Sequence, residues 1–356
     1  MRLGLDLRRR PEGVRSGNVL GALRLLRFTR YVANQGIAMK INSDQAGCEI
    51  VAGPGESIND CDPREIVSLV RRHGWLVFDG FDATVAEFEA LTSRFGTCAG
   101  TRTVHYPAGG EALGFHAEDA YNPYRPDAIW FLCVFAGSDG GAPTRIVDGV
   151  RLLGDLGADW QEFCRANVLR FDRQWSRELW QAGVGPQGKA ELDAVLRGIP
   201  AVSHQFLRNG DLHVSYSTPI VTRTPAGEDS FSNTMLQAIT EPPFYGLSLG
   251  NGAPVPPELA ETVQQMAIDR EIRLGWKAGR AGVLDNFRMM HRRSEYNGTG
   301  RDLRARHCED FFGSVLPDAS TPVSAWAKSL LQGDEGYPVQ VGPLDRETAL
   351  TTSERA

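Results

Sequence analysis

His116-Ala117-Glu118 carries the residue types and the spacing most able to do chemistry in this 356-residue chain. In a strand, residues two apart point to the same face, so His116 and Glu118 can aim an imidazole and a carboxylate at one point. His291, at the end of Asp285-Asn286-Phe287-Arg288-Met289-Met290-His291, is the candidate that closes the set. Two histidines and one carboxylate leave the other positions of an octahedral ion open, the donor set of non-heme Fe(II) oxygenases.

Other metal chemistries share parts of this pattern. Zinc deaminases also contain H-x-E, but their remaining ligands come from a downstream P-C-x-x-C. The six cysteines (48, 61, 98, 133, 164, 308) form no C-x-x-C anywhere. No H-E-x-x-H is present either, which excludes the helical zinc-protease pattern. The scattered cysteines suggest buried free thiols in a reduced, cytoplasmic protein rather than a disulfide framework.

Hydrophobic content of 42% and charged content of 23% are those of an ordinary globular protein. The net charge of -6 argues against general nucleic-acid binding. Residues 1–38 differ from the rest: eight arginines against Asp6 and Glu12 give +6, leaving -12 on the remainder. They are read as a basic, poorly ordered extension, or as sequence upstream of a start at Met39. No apolar run reaches transmembrane length, and the N-terminus lacks the apolar stretch of a secretory signal.

The elements that must position these residues are partly legible. Asp62-Pro63-Arg64-Glu65 supplies an N-cap, a proline at the first helical position and an acid in the first turn; Gly74 ends that helix. Trp75–Phe78 reads as a buried strand. Thr84-Val85-Ala86-Glu87 opens a second helix, which Gly96 stops. Leu113 and Phe115 suggest the strand bearing His116. Ala128–Phe135 is a continuous apolar run, hence a core strand. Thr144–Asp148 re-enters a strand, residues 150–200 look helical with Trp160, Trp175 and Trp180 on apolar faces, and 201–240 alternate like strands. Pro257 opens a helix to about Asp269, and Ile272–Trp276 and Gly282–Asp285 are strands. One mixed α+β domain, 39–331, is expected, with an insertion at about 150–250 able to cover a site and a polar tail at 332–356.

Four stretches, in order, resemble the TauD/TfdA superfamily of Fe(II)/2-oxoglutarate dioxygenases, and within it the clavaminate synthase-like branch. His73–Phe81 is similar to the family's opening strand. Phe115–Tyr121 with Pro123–Asp127 is similar to the branch's H-x-E segment and following turn. Gly140-Gly141-Ala142-Pro143-Thr144 with Asp148 resembles its cosubstrate strand, and Asp285–His291 followed by Arg301 resembles its distal histidine and arginine.

The resemblance implies a distorted double-stranded β-helix (jelly-roll) core with flanking helices and a lid insertion. It implies Fe(II) on His116, Glu118 and His291, with 2-oxoglutarate and O2 as cosubstrates. Arg301, helped by the Thr144 hydroxyl, is the expected partner of the far 2-oxoglutarate carboxylate, since a planar guanidinium binds carboxylate bidentately. Arg304 and Arg306 compete with Arg301 for 2-oxoglutarate, and either could instead hold a substrate carboxylate. Related halogenases replace the metal-binding carboxylate by a small residue; the retained Glu118 implies oxygenation instead. The implied reaction hydroxylates an unactivated C–H bond of an amino acid, free or carrier-bound, or of an amino-acid-derived intermediate of specialised metabolism, with succinate and CO2 as co-products. Desaturation or cyclisation on the same scaffold, and a non-oxygenase metal-dependent enzyme on a β-barrel, are the alternatives. Residues 99–112, Arg102, Asp119 and Tyr121 are candidate pocket walls, while Asp285 and Asn286 are expected to shape the turn before His291.

Overall fold

Two sheets facing each other across an apolar layer form the centre of the molecule. The computed structural model describes residues 28–34, 37–44, 47–98, 102–104, 112–137, 143–240, 245–293 and 301–333, with side chains from residue 47 onward except 102–104. The larger sheet has eight strands, in the order Phe28–Asn34, Ile37–Asp44, Gly47–Val51, Trp75–Asp79, Ala281–Asp285, Ala128–Phe135, Asp302–Cys308 and Arg102–Val104. Neighbours are antiparallel except Gly47–Val51 with Trp75–Asp79. The smaller sheet runs Ile272–Leu274, Thr144–Asp148, Met289–Arg293, Leu113–His116. The chain alternates between the sheets: Leu113–His116, Ala128–Phe135 and Thr144–Asp148 lie in the small, large and small sheets in turn. Ala281–Asp285, Met289–Arg293 and Asp302–Cys308 lie in the large, small and large sheets. That interleaving is the jelly-roll expected from the sequence.

The continuous apolar run at Ala128–Phe135 has a direct cause. Ala128, Trp130 and Leu132 face one core cluster, under the helices Pro63–His73 and Val85–Thr92. Ile129, Phe131 and Cys133 face the other, between the sheets, with Ile146, Trp276, Leu303 and Ala305. A strand buried on both faces shows no alternation of polarity. Trp130, fully buried, stacks on Phe78 (centroids 5.8 Å apart) and meets Phe95 at 5.2 Å. A large side chain so placed contributes about 1.5–3 kcal/mol by burial. Both helix starts and the first stop are as read: Asp62 accepts from the Arg64 N–H, Thr84 and Glu87 form a capping box, and Gly74 adopts φ 82°, but the second helix ends at Thr92 with Ser93 as its cap, before Gly96.

Three expectations need correction. Residues 168–175, including Trp175, form a strand rather than helix. It joins Val202–Phe206, Leu212–Pro219 and Gly246–Leu249 in a third, four-stranded antiparallel sheet within the insertion. Its alternate residues are buried and the others half-buried or exposed, a two-residue period that the tryptophan spacing alone did not separate from a helical stripe. The boundary at residue 38 does not divide the structure, because Phe28–Asn34 and Ile37–Asp44 pair across it from Phe28↔Ser43 to Asn34↔Ile37. Finally, Cys98 and Cys308 form a disulfide across 210 residues of sequence, while Cys48, Cys61, Cys133 and Cys164 are buried thiols. Cysteine spacing could not reveal that pair, since the sheet edge brings the two together as an isolated antiparallel bridge. Residues 1–27 of the expected extension, Gly140–Ala142 and residues 334–356 of the expected tail lie outside the described residues, as does most of the loop 99–112. Among the described residues, no helix is long and apolar enough to cross a membrane.

Candidate metal centre and active site

The small sheet creates the site by register. His291 pairs directly with His116 on one neighbouring strand and with Ile146 on the other. Directly paired residues share a face, and Ile146 lies in the layer between the sheets, so both imidazoles point inward. Their ring centroids are 4.3 Å apart, and the His291 ring meets Phe131 of the large sheet edge-on at 5.8 Å. Glu118 leaves the end of the His116 strand and returns its carboxylate to the pair. Its Oε2 is 3.7 Å from His116 Nε2 and 3.5 Å from His291 Nε2. One donor atom from each of the three lies within 4.8 Å of the others.

The local chemistry suits a divalent ion. His116 Nδ1 is 2.8 Å from the Gly114 carbonyl. An N–H there leaves the Nε2 lone pair for a metal, the usual arrangement of a ligating histidine. Gly114 also permits close approach of the helix Met235–Thr240: a Cβ at residue 114 would lie 3.1 Å from the Gln237 Cα. Burial, reinforced by the charge of His116, pushes the His291 pKa down to about 3 against the pull of Glu118, so His291 is neutral, the form that binds metal. Burial alone would raise the Glu118 pKa. The close His116 ring and the fields of His307 and His291 outweigh it and hold the carboxyl well below its ordinary value. An ionised carboxylate and neutral imidazole converging on one point fit Fe(II), and the remaining positions fall to ligands that the protein does not supply.

The backbone of residues 117–118 is fixed from two sides. Ala117 N donates to the Asn233 carbonyl and its own carbonyl accepts from Thr234 Oγ1. Asn286, fully buried, accepts from Glu118 N at 2.8 Å and donates through Nδ2 to the carbonyls of Glu118 (2.9 Å) and Pro126 (2.8 Å). Asp285 shapes the turn, accepting from Phe287 N. Asn286 does more than its expected turn role: it holds the peptide of the carboxylate residue. Asp119 follows in the left-handed region at φ 54°, uncommon for a residue with a side chain.

The arginine candidates separate. Arg301 is buried, and its charge lowers a Cys133 thiol pKa that burial raises to about 11. Thr144 is buried on the opposing sheet, and its Oγ1 accepts from Trp276 Nε1 at 2.8 Å. Arg306 is a correction: it does not face this layer. It shares the outward face with Cys308 and bonds through Nη1 to the Glu89 carbonyl (3.0 Å), Thr92 Oγ1 and Ser93 Oγ (3.3 Å) at the end of the helix Val85–Thr92. Arg304 pairs with Asp302. A residue that the sequence did not single out faces the site instead: the His307 Nε2 is 3.8 Å from Glu118 Oε1, and its Nδ1 is 3.9 Å from Asp119 Oδ2. Its odd numbering, shared with Leu303 and Ala305, is the signal that would have placed it inward.

A jelly-roll with a two-histidine, one-carboxylate cluster between its sheets defines a metal-dependent oxygenase class. Residues 51–307 match the taurine catabolism dioxygenase TauD, TfdA family, and the chain belongs to that family. It is an Fe(II)- and 2-oxoglutarate-dependent dioxygenase, an oxidoreductase. No curated protein matches it significantly in sequence. Among solved structures, PvcB from Pseudomonas aeruginosa superimposes with a TM-score of 0.54 at 17% identity, over 79% of this chain and 94% of that one. A further structure of PvcB, described as an Fe, alpha-ketoglutarate dependent oxygenase from an isonitrile synthetic pathway, gives 0.52 at 17% identity over the same shares. AAD-2 in complex with Mn(II) and N-oxalylglycine gives 0.51 at 13% identity, over 83% and 100%. At these identities the likeness is one of fold.

Proposed function

We propose that this dioxygenase hydroxylates an unactivated C–H bond of an amino acid or an amino-acid-derived intermediate, using His116, Glu118 and His291 as its iron ligands. The observation that carries the ligand assignment is the convergence of those three side chains on one point, with the imidazole of His291 held neutral and Glu118 ionised. Bound Fe(II), with 2-oxoglutarate and O2, supplies an oxidant able to break a C–H bond, releasing succinate and CO2. The protein's part is to hold and orient. The Gly114 carbonyl fixes the His116 ring, and Asn286 fixes the Glu118 peptide. Trp276 occupies an acceptor lone pair of the Thr144 hydroxyl, which leaves its O–H to donate to a carboxylate. In this proposal Arg301 holds the distal carboxylate of 2-oxoglutarate and Thr144 assists. The apolar layer of Phe131, Ile146 and Leu303 borders the site and keeps water from it.

The test is succinate release from 2-oxoglutarate by the purified protein with Fe(II) and O2. Glu118→Ala is expected to abolish it, and Arg301→Met to raise the KM for 2-oxoglutarate. Full turnover by Glu118→Ala without added carboxylate would refute the ligand assignment.

A further inference from the structure

The inward face of the insertion's sheet carries a charge in an apolar row. Along Val168–Trp175 the buried residues are Leu169, Phe171, Arg173 and Trp175. Leu169 and Phe171 join one apolar cluster and Trp175 another. Arg173 stands between them, only 2% exposed. Its guanidinium lies over the rings of Tyr121, at 5.2 Å, and Trp175, at 5.1 Å. Nη1 donates to the Leu331 carbonyl, at the C-terminal end of the helix Pro322–Gln332. Among the described residues, Nε and Nη2 have no hydrogen-bond partner.

Those two atoms form the edge of a guanidinium that presents parallel N–H groups, the geometry that takes a carboxylate bidentately. Capping the helix and stacking on two rings use Nη1 and the flat faces, and neither needs this edge. A buried cation with unmet donors is costly unless an anion completes it. The position relative to the metal site is defined by one short turn. Tyr121, under Arg173, is three residues from Glu118, and its ring stacks on Tyr245 at 4.8 Å. Between them Asp119 faces His307 at 3.9 Å. Burial lowers the Arg173 pKa, and the charge of Asp119 opposes it. Arg173 therefore lies over the turn that leads away from Glu118.

We propose that Arg173 anchors a free carboxylate of the primary substrate. Resting on the amino-acid reading above, this narrows the substrate to one with a free carboxylate, such as a free amino acid, since a carrier-bound aminoacyl thioester has lost its α-carboxylate. It is separate from Arg301, which in that reading serves 2-oxoglutarate.

The test uses the full chain loaded with Mn(II) and 2-oxoglutarate, so that binding is read without turnover. Each of the twenty L-amino acids and their D-antipodes is offered as the acid and as its primary carboxamide, and binding is measured by calorimetry. At least one acid is expected to bind, with its carboxamide about 30-fold weaker or worse, as follows from removing one partner of a buried charged pair. In Arg173→Gln that preference is expected to vanish. Its Mn(II) affinity and unfolding temperature report whether the fold survives, and the acid-against-amide comparison on the native chain needs no variant. Equal binding of acid and amide, an intact preference in a folded Arg173→Gln, or no binding by any acid overturns the proposal. Failure of the oxygenase reading shows separately, as absence of succinate release by the native Fe(II) protein.

Discussion

Replacing Asn286 by alanine removes three hydrogen bonds, two to the peptide groups of Glu118 and one to the Pro126 carbonyl. Each buried polar group so stranded costs about 1–3 kcal/mol. Relaxation and water entry recover part of this at Glu118, whose side chain keeps 28% of its surface exposed, so a loss of about 2–4 kcal/mol of stability is expected. The larger consequence is at the metal. Glu118 lies just past the end of its strand, so its carboxylate depends on backbone contacts for direction, and loss of such an outer support typically lowers metal affinity 10–100-fold. Asn286→Asp sharpens the experiment. It is nearly isosteric and can still accept from Glu118 N, but it turns both donated bonds into contacts between oxygens. Mn(II) affinity by calorimetry, with thermal unfolding of the metal-free protein, reads the two effects apart. An alanine variant with native Mn(II) affinity and native unfolding temperature would show that Asn286 does not support Glu118, and the reasoning would fail.

Arg306→Met is expected to destabilise the protein by about 2–4 kcal/mol, through loss of the charged bonds to Glu89, Thr92 and Ser93, while leaving the KM for 2-oxoglutarate unchanged; a raised KM would return Arg306 to the cosubstrate site. Asp285 is fully buried, and burial raises its pKa to about 7 against the Phe287 N–H and the charges of Arg125 and Arg288. A carboxyl raised in the folded state gives stability that is complete below its unfolded pKa and is lost as pH rises through about 7. Asp285→Asn should therefore flatten the fall in stability between about pH 4 and 7, a slope of at most about 4 kcal/mol, and an unchanged pH profile of unfolding would exclude Asp285 as its source. Reduction of Cys98–Cys308 should lower stability by about 2–4 kcal/mol, seen as a reductant-dependent unfolding temperature that Cys98→Ser abolishes; the native protein unfolding identically with and without reductant would refute it.

The sequence by itself determined much of this molecule, for local physical reasons. Asp62, Thr84 and Glu87 announce helix starts because their side chains satisfy backbone donors within three residues. His116 and Glu118 announce a shared target, and the order of motifs from His73 to Arg301 identifies the family. Only the tertiary structure decided which face of each strand turns inward. A two-residue period says which residues lie together, but on Ala128–Phe135 and Asp302–Cys308 both faces are buried, so polarity does not mark the inner one. Arg306 therefore passed for a site residue while His307 was not singled out, though they sit side by side on one strand and face opposite ways. Asn286 reaches Glu118 across 168 residues, and Cys98 joins Cys308 across 210. Such pairings follow from strand order, and no spacing along the chain encodes them. The same is true of Arg173: the strand pattern buries it, but only the packing of the insertion against the turn after Glu118 lays its guanidinium over Tyr121.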